Sequence, residues 1–254
     1  MRVTILGSGT SSGVPVIGCT CPVCQSEDPK DKRLRASAWL ELDEDRALLI
    51  DTATDLRQQV LRFGVRRVDA VLYTHAHADH LHGIDELRLF NLWQQGSIPC
   101  YADAGAAGRI RTYLTYIFDG GPAKSFRPGL ELIEVDAPFE AVGEPIMPVP
   151  MMHGDLSVFG YRIRDFAYLT DVSRIPDESY PLLADLDVLV IDALRPEPHP
   201  THFSLGEALA EVERIGPRRT FLTHLSHRMG HETINKGLPS GVELAYDGLT
   251  IQTR

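Results

Sequence analysis

The 254 residues suffice for one large domain with a substantial core, and no internal repeat, low-complexity tract or Ser/Gly linker divides them, so one domain over 1–254 is expected. With 25 basic against 35 acidic residues the net charge is −10, which disfavours a broad nucleic-acid surface but leaves room for a small anion drawn to a local cation. The start, MRVTILGSG, reads as a first strand rather than a signal peptide, and no apolar stretch approaches the ~20 residues of a spanning helix, so a cytoplasmic protein without membrane contact is expected.

Short apolar or β-branched runs predict strands at 2–6 (RVTIL), 36–42 (ASAWLEL), 46–51 (RALLID), 69–74 (DAVLYT) and 98–103 (IPCYAD), with DEDR turning a hairpin between the second and third. Helical spacing marks DLRQQVLRFG, where Leu56, Val60 and Leu61 share a face and Gly64 can end the helix, and again IDELRLFNLW and AGRIRTYLTYIF. Further strands are expected near 131–135, 145–150, 158–163, 166–170 and 187–191. A helix follows, opened by a capping box of Ser204 and Glu207, and then the run RTFLTH. Near the end, ELAYDGLTIQ predicts a hairpin on a type I′ turn at Asp247-Gly248. Many strands, interspersed helices and no clean βαβ alternation imply sheets packed together with helices outside.

Of 10 histidines, four crowd into YTHAHADHLHG between His75 and His82, just where an apolar strand ends. In THAHADH, His75 and His77 can converge on one ion, whereas Asp79 and His80 just beyond can turn toward a second. Imidazole and carboxylate together suit zinc, manganese or iron. Three distant residues also follow strand-like runs: His153 after PIMPVPMM, Asp171 after FAYLT and His224 after TFLT. Together they make five imidazoles and two carboxylates, enough for two metals sharing a bridging carboxylate. Three of four cysteines fall together in CTCPVC, as Cys19, Cys21 and Cys24, while Cys100 sits alone. In a reducing compartment that cluster points to metal more than to disulfides, and three thiolates need a fourth donor to close a tetrahedral structural site. Three free thiols are the alternative.

THAHADH resembles the H-x-H-x-D-H motif of the metallo-β-lactamase superfamily, and His153, Asp171 and His224 match its downstream ligands in order over nearly the whole chain. The resemblance implies an α/β fold of α+β type, an αββα sandwich of two mixed sheets flanked by helices, with a dinuclear site at one edge. By that match His75, His77 and His153 hold one metal, Asp79, His80 and His224 the other, and Asp171 bridges them. Within the superfamily the chain is most similar to the phosphoribosyl cyclic phosphate phosphodiesterases of the carbon-phosphorus lyase pathway, through GTSSGVPVIGCTCPVC, LTDVS, LTHLSH and LPSGVELAYDG. That resemblance implies a structural zinc on a loop around 18–25, held by Cys19, Cys21, Cys24 and His227, with His231 as the other donor to consider. It implies manganese, zinc or nickel at the active site and a homodimer.

The implied reaction opens 5-phosphoribosyl 1,2-cyclic phosphate to ribose 1,5-bisphosphate by attack of a metal-bridging hydroxide, with Asp79, His80 and His202 assigned to catalysis. His202, in HPTHFSLGE, matches a family histidine near the scissile phosphate and is expected to act as general acid or phosphate ligand. Its neighbour Phe203 departs from the family pattern. Asp51, closing ALLID, is expected to orient a ligating histidine from behind. His82, His199 and His231 are claimed by no motif. Other readings are a broad cyclic-nucleotide phosphodiesterase, a tRNA 3′-processing nuclease, disfavoured by the net charge, and a noncatalytic metal-binding or redox module.

Overall fold

The computed structural model describes residues 1–43, 45–119 and 126–253. Among the described residues fourteen strands form two seven-stranded sheets. The first sheet holds β1 (Arg2–Gly7), β2 (Ser37–Glu41), β3 (Ala47–Ile50), β4 (Ala70–Leu72), β5 (Ile98–Ala102), β6 (Leu130–Glu134) and β14 (Thr250–Gln252), in the order β14-β1-β2-β3-β4-β5-β6. The second holds β7 (Phe139–Ala141), β8 (Glu144–His153), β9 (Leu156–Ile163), β10 (Phe166–Leu169), β11 (Val188–Asp192), β12 (Arg219–Thr223) and β13 (Val242–Leu244), in the order β13-β12-β11-β10-β9-β8-β7. Both sheets are mixed: β3 to β6 run parallel to one another, as do β10 to β13, and the remaining pairs are antiparallel. This is the expected sandwich of two mixed sheets flanked by helices.

The side-chain pattern explains the layering. In β3 every residue of ALLI is buried, as a strand covered on both faces requires. Leu48 and Ile50 point into the apolar layer between the sheets, with Ile5, Leu72, Tyr161, Phe166 and Val190. Ala47 and Leu49 point the other way, onto a second core shared with the helices α2 (Leu56–Phe63), α4 (Leu87–Gln94) and α5 (Ala104–Tyr113). The outer face of the second sheet packs Leu169, Ile191 and Leu222 against Ala208, Leu209 and Val212 of α7 (Leu205–Ile215). Among the described residues no helix is long and apolar enough to cross a membrane.

Several expectations need adjustment. The helix α2 ends on Gly64 at φ +67°, as its position suggests, but Leu61 is 66% exposed. Gln59 takes the inner place instead, and its amide donates to the Arg35 carbonyl at 2.8 Å. The helix expected over IDELRLFNLW starts as a 3-10 turn at Ile84–Glu86 and becomes regular only from Leu87. The strand expected near 145–150 runs on to His153, and β7 had no clear pattern. Beyond Ile146 the strand β8 has β9 alone as its ladder neighbour, which is where a sheet tolerates Pro148 and Pro150. The DEDR turn does connect antiparallel strands, although Glu44 within it lies outside the described residues.

The terminal hairpin is overturned. The strand β13 pairs with β12 in the second sheet and β14 with β1 in the first, so residues 245–249 cross between sheets. A turn does form at Asp247-Gly248, with Leu249 N–H donating to the Tyr246 carbonyl at 3.0 Å, but it is not the expected type I′: Gly248 has φ +90°, whereas Asp247 is not among the residues of positive φ. What fixes its direction is the buried Asp247 carboxylate, which accepts from the Ser8 amide and hydroxyl, each at 2.9 Å, and from the Leu34 amide at 2.8 Å. These contacts draw the chain to β1 and away from β13.

Candidate dinuclear metal centre

The site lies where carboxyl ends of strands from both sheets meet. Asp51 follows β3, His75 follows β4 by three residues, His153 ends β8, Asp171 follows β10, Asp192 ends β11 and His224 follows β12. Parallel strands point their carboxyl ends the same way, so loops leaving them converge on one edge. Three of these junction residues, Asp51, Asp171 and His224, have φ of +60°, +52° and +58°. Left-handed backbone costs a non-glycine residue about 1–3 kcal/mol, and here it turns each side chain back over the strand end. In the short helix α3 (Ala78–Leu81) the next turn is held close by Gly83, whose N–H donates to the Thr52 carbonyl at 2.9 Å. A Cβ on Gly83 would come within 2.1 Å of the Ala53 carbonyl oxygen, so only glycine fits.

The expected ligands are brought together in the expected division. Donor atoms of His75, His77, His153 and Asp171 lie within 4.8 Å of one another, as do those of Asp79, His80 and His224. Asp171 faces both groups: Oδ1 stands 3.8 Å from Nε2 of His75 and of His153, and Oδ2 stands 3.0 Å from Nε2 of His80 and 3.2 Å from Nε2 of His224. Most of these side chains are buried, with His77 and Asp79 partly open to solvent.

The rings are oriented from behind through their second nitrogen. Asp51 Oδ2 accepts from His80 Nδ1 at 2.7 Å and from the Thr74 hydroxyl at 2.8 Å. Having donated its proton to Asp51, that hydroxyl can accept from His75 Nδ1 at 3.0 Å. Asp51 thus fixes one ring directly and another through threonine, as expected of it. His153 Nδ1 donates to the Thr201 carbonyl at 2.6 Å. With Nδ1 engaged in this way, Nε2 is the nitrogen of each ring left for the cluster.

Whether cations fit can be read from what these atoms lack. Nε2 of His75, His80 and His224 is buried without a hydrogen-bond partner, a costly state that an ion relieves. Burial holds His75, His77 and His153 below the ordinary imidazole pKa, which leaves lone pairs for coordination. Burial also opposes charge on His80 and His224, but Asp171, with Asp79, outweighs it and raises both. Burial would raise Asp79 and Asp171, yet their histidine neighbours pull both well below the carboxylate range. The carboxylates therefore demand positive charge, which protons on His80 and His224 or bound cations supply. A donor set of imidazole and carboxylate suits divalent cations of the zinc or manganese type.

His202 sits against this cluster. Its ring is stacked on His224 with centroids 4.8 Å apart, and a ligand-type atom lies within 4.8 Å of those of Asp171 and His224. Its Nδ1 faces Asp192 Oδ2 at 2.7 Å. Asp192, fully buried, was not singled out from the sequence, although VLVID closes β11 as ALLID closes β3 and could have flagged it. Phe203, the departure from the family pattern, packs into the core of the second sheet. His82 is exposed, and His199 lies beside His202 with ring centroids 5.2 Å apart.

A second cluster adjoins the first. Sγ of Cys19, Cys21 and Cys24 lie 3.2, 3.5 and 3.6 Å from Nδ1 of His227. Three of its four members come from one loop around the short helix α1 (Pro22–Gln25), and the fourth lies three residues past His224. His231, the other donor considered, is elsewhere: its backbone N–H donates to Asp31 and its ring meets Tyr246.

Comparison with known proteins agrees with this architecture. Residues 46–225 match the family described as the beta-lactamase superfamily domain. An octanoyltransferase of Porphyromonas gingivalis is 40% identical over 98% of the chain, and the chain spans about half of that relative's length (51%). Coenzyme PQQ synthesis protein B of Methylobacterium nodulans is 36% identical over 91% of the chain and 80% of its own length. A crystal structure of a diphosphatase from the PhnP family superposes with a TM-score of 0.93 at 42% identity, covering 100% of this chain and 98% of that one. The chain thus belongs to the β-lactamase superfamily and, within it, to the PhnP family.

Proposed function

We propose that residues 1–254 form one metal-dependent phosphodiesterase domain that hydrolyses a small cyclic phosphate, with 5-phosphoribosyl 1,2-cyclic phosphate opened to ribose 1,5-bisphosphate. The observation that carries this reading is the two-sided Asp171, whose oxygens each face a different pair of histidines. That is how a bridging carboxylate is placed, and paired cations are a recurring solution for displacement at phosphorus.

His75, His77, His153, Asp79, His80 and His224, with Asp171 between the two groups, would hold divalent cations, which would supply Lewis-acid stabilisation of phosphoryl oxygens and lower the pKa of water. The chain's own residues do the rest. Asp51, Thr74 and the Thr201 carbonyl keep the ligating rings in one tautomer and direction. As a water oxygen bonds to phosphorus, the bond to the leaving sugar oxygen breaks and that oxygen needs a proton. Protonated His202 delivers it from Nε2, while Asp192 accepts from Nδ1 throughout and stabilises the ring's charge before transfer. Cys19, Cys21, Cys24 and His227 would hold a structural zinc in a closed set.

The likeness to a PhnP-family diphosphatase favours a second reading, in which the bond broken is a phosphoanhydride and the leaving group is itself a phosphate. One kinetic screen separates these. The purified protein is assayed on the cyclic ribose phosphate, cyclic nucleotides, a nucleoside diphosphate ester, bis(p-nitrophenyl) phosphate and a lactone, with metal analysis of the same preparation. The cyclic ribose phosphate is expected to have the highest kcat/KM. A faster lactone would reject phosphoester chemistry altogether.

A further inference from the structure

Next to the histidines lies a cavity of about 180 Å³ to which the reaction above gives no task. His75 and His77 form one wall, Ala106 and Arg109 another, and Leu156 and Ser157 a third. It therefore adjoins His75 and His77, does not count His202 among its lining residues, and has room for part of a substrate beyond the bond being broken.

Its chemistry is set by Arg109. This residue projects from α5 on the solvent side of a helix whose Ala106, Ala107 and Ile110 are buried. Other arginines nearby are paired: Arg111 with Glu134, Arg88 with Asp85, Arg127 with Asp119. Arg109 has no ion pair or hydrogen bond among the described residues. The acid in the same wall, Asp103, makes no ion pair with it among the described residues: its Oδ1 caps α5, accepting from the Gly105 and Ala106 amides at 2.7 and 3.1 Å. A guanidinium offers five N–H donors in a fork matched to phosphate oxygens, and Ser157 also lines the cavity. In a chain of net charge −10, an unpaired cation beside the reactive centre is where an anion is drawn in.

We infer that this cavity receives a second anionic group of the substrate, a phosphomonoester remote from the scissile bond, and that Arg109 is the residue that selects for it. The inference rests on the phosphodiester reading above and deepens it by naming the cavity and the residue, Arg109, that would hold the 5-phosphate of that substrate. Simple cyclic nucleotides, which lack a second phosphate, become poor substrates.

The test uses ribose 1,2-cyclic phosphate with and without a 5-phosphate, and calorimetric binding of ribose 5-phosphate, ribose and inorganic phosphate to the full chain. Arg109→Ala should lower kcat/KM for the phosphorylated substrate about 10- to 100-fold more than for its unphosphorylated partner, mainly through KM, with Arg109→Lys recovering part of the loss. Arg109→Ala should also weaken ribose 5-phosphate binding by a similar factor. Equal losses on both substrates, or none on either, would overturn the inference. So would Arg109-dependent binding of inorganic phosphate without any preference between the two substrates, since the cavity would then be a free-anion site. If the wild-type chain hydrolyses neither substrate but Arg109→Ala still abolishes ribose 5-phosphate binding, the cavity stands and the reaction assignment fails.

Discussion

Two clusters of ligand-type side chains meet at the turn carrying His224 and His227, and they are built on opposite plans. The thiolate cluster draws Cys19, Cys21 and Cys24 from one loop and needs a single distant residue to close. No carboxylate belongs to it. The imidazole cluster takes its members from strand ends of both sheets, and behind its rings stand Asp51, Thr74 and the Thr201 carbonyl. Four donors supported only by local backbone N–H groups, of Val16 to Cys24 and of Cys24 to Cys21, suit an ion that never changes its ligands. Donors held in a fixed tautomer, with partly open His77 and Asp79 at the rim, suit ions that must also meet a substrate. The two are coupled, because His224 and His227 share one turn. That turn has an independent anchor in fully buried Arg33, which donates to the Ser226 carbonyl at 3.1 Å and to the Met229 carbonyl.

The largest expected break in this contrast is Asp171→Ala. It removes the oxygens facing His75 and His153 on one side and His80 and His224 on the other, so activity on every substrate should fall by about 10³-fold or more, the equivalent of several kcal/mol of lost transition-state stabilisation. Metal analysis should show the thiolate zinc retained and the remaining metal depleted. Near-native turnover would reject the shared-carboxylate assignment.

His202→Ala comes next and should depend on the leaving group. An alkoxide gains about 10²- to 10⁴-fold from a delivered proton, whereas p-nitrophenolate departs without one. Loss should therefore be large on a cyclic ribose phosphate and small on bis(p-nitrophenyl) phosphate. The same factor on both would make His202 a phosphate ligand instead of an acid.

Replacing the buried carboxylates should have smaller, distinguishable effects. Asp51→Asn loosens His80 and, through Thr74, His75, so metal affinity should fall about 10- to 100-fold. Asp192→Asn acts on His202, so metal content should hold while turnover of the alkoxide substrate drops. Equilibrium dialysis alongside kinetics separates the pair. Indistinguishable profiles would mean that both act through the fold.

What the residues themselves disclosed divides along the same line. The ligand-type residues were legible because metal chemistry restricts residue type and their spacing is local, as in THAHADH and CTCPVC. The groups behind the rings were harder. Thr201 acts through a backbone carbonyl, which has no residue signature at all, and Asp192 lies 10 positions from His202 with only the strand-closing pattern of VLVID to mark it. The false terminal hairpin has a related cause. The position of the turn at Asp247-Gly248 is local and was legible, though its type I′ geometry was not met, and the partner strand is chosen by contacts to Ser8 and Leu34, more than 200 residues away. Arg109 carries no motif, and only the folded chain shows it beside His77.

Disabling the thiolate cluster should cost less activity than any change above. Cys21→Ser should lower Tm and raise susceptibility to proteolysis while kcat falls only several-fold, because Arg33 still holds the 226–229 turn. Mild chelation of the native protein should abolish activity first and release the thiolate zinc last, since a closed site leaves a chelator no vacant position. Zinc released before activity is lost would invert the assignment of the two clusters.

The finest distinction lies within the thiolate cluster itself. The backbone N–H of Cys24, foremost among several contacts, stabilises the Cys21 thiolate and lowers its pKa to about 6, whereas burial pushes Cys24 up to about 11. A lowered thiol pKa means that the reactive thiolate dominates above that value. In metal-stripped protein, iodoacetamide should therefore modify Cys21 with a midpoint near pH 6 and remain largely unreactive toward Cys24 through pH 9. Zinc should suppress modification of both, because coordination occupies each thiolate, while manganese, which favours oxygen ligands, should protect neither. Peptide mapping by mass spectrometry across pH 5 to 9 reads the two cysteines separately. If Cys21 and Cys24 titrate together, the amide of Cys24 does not distinguish them, and the order in which thiols leave or accept the metal is set by exposure alone.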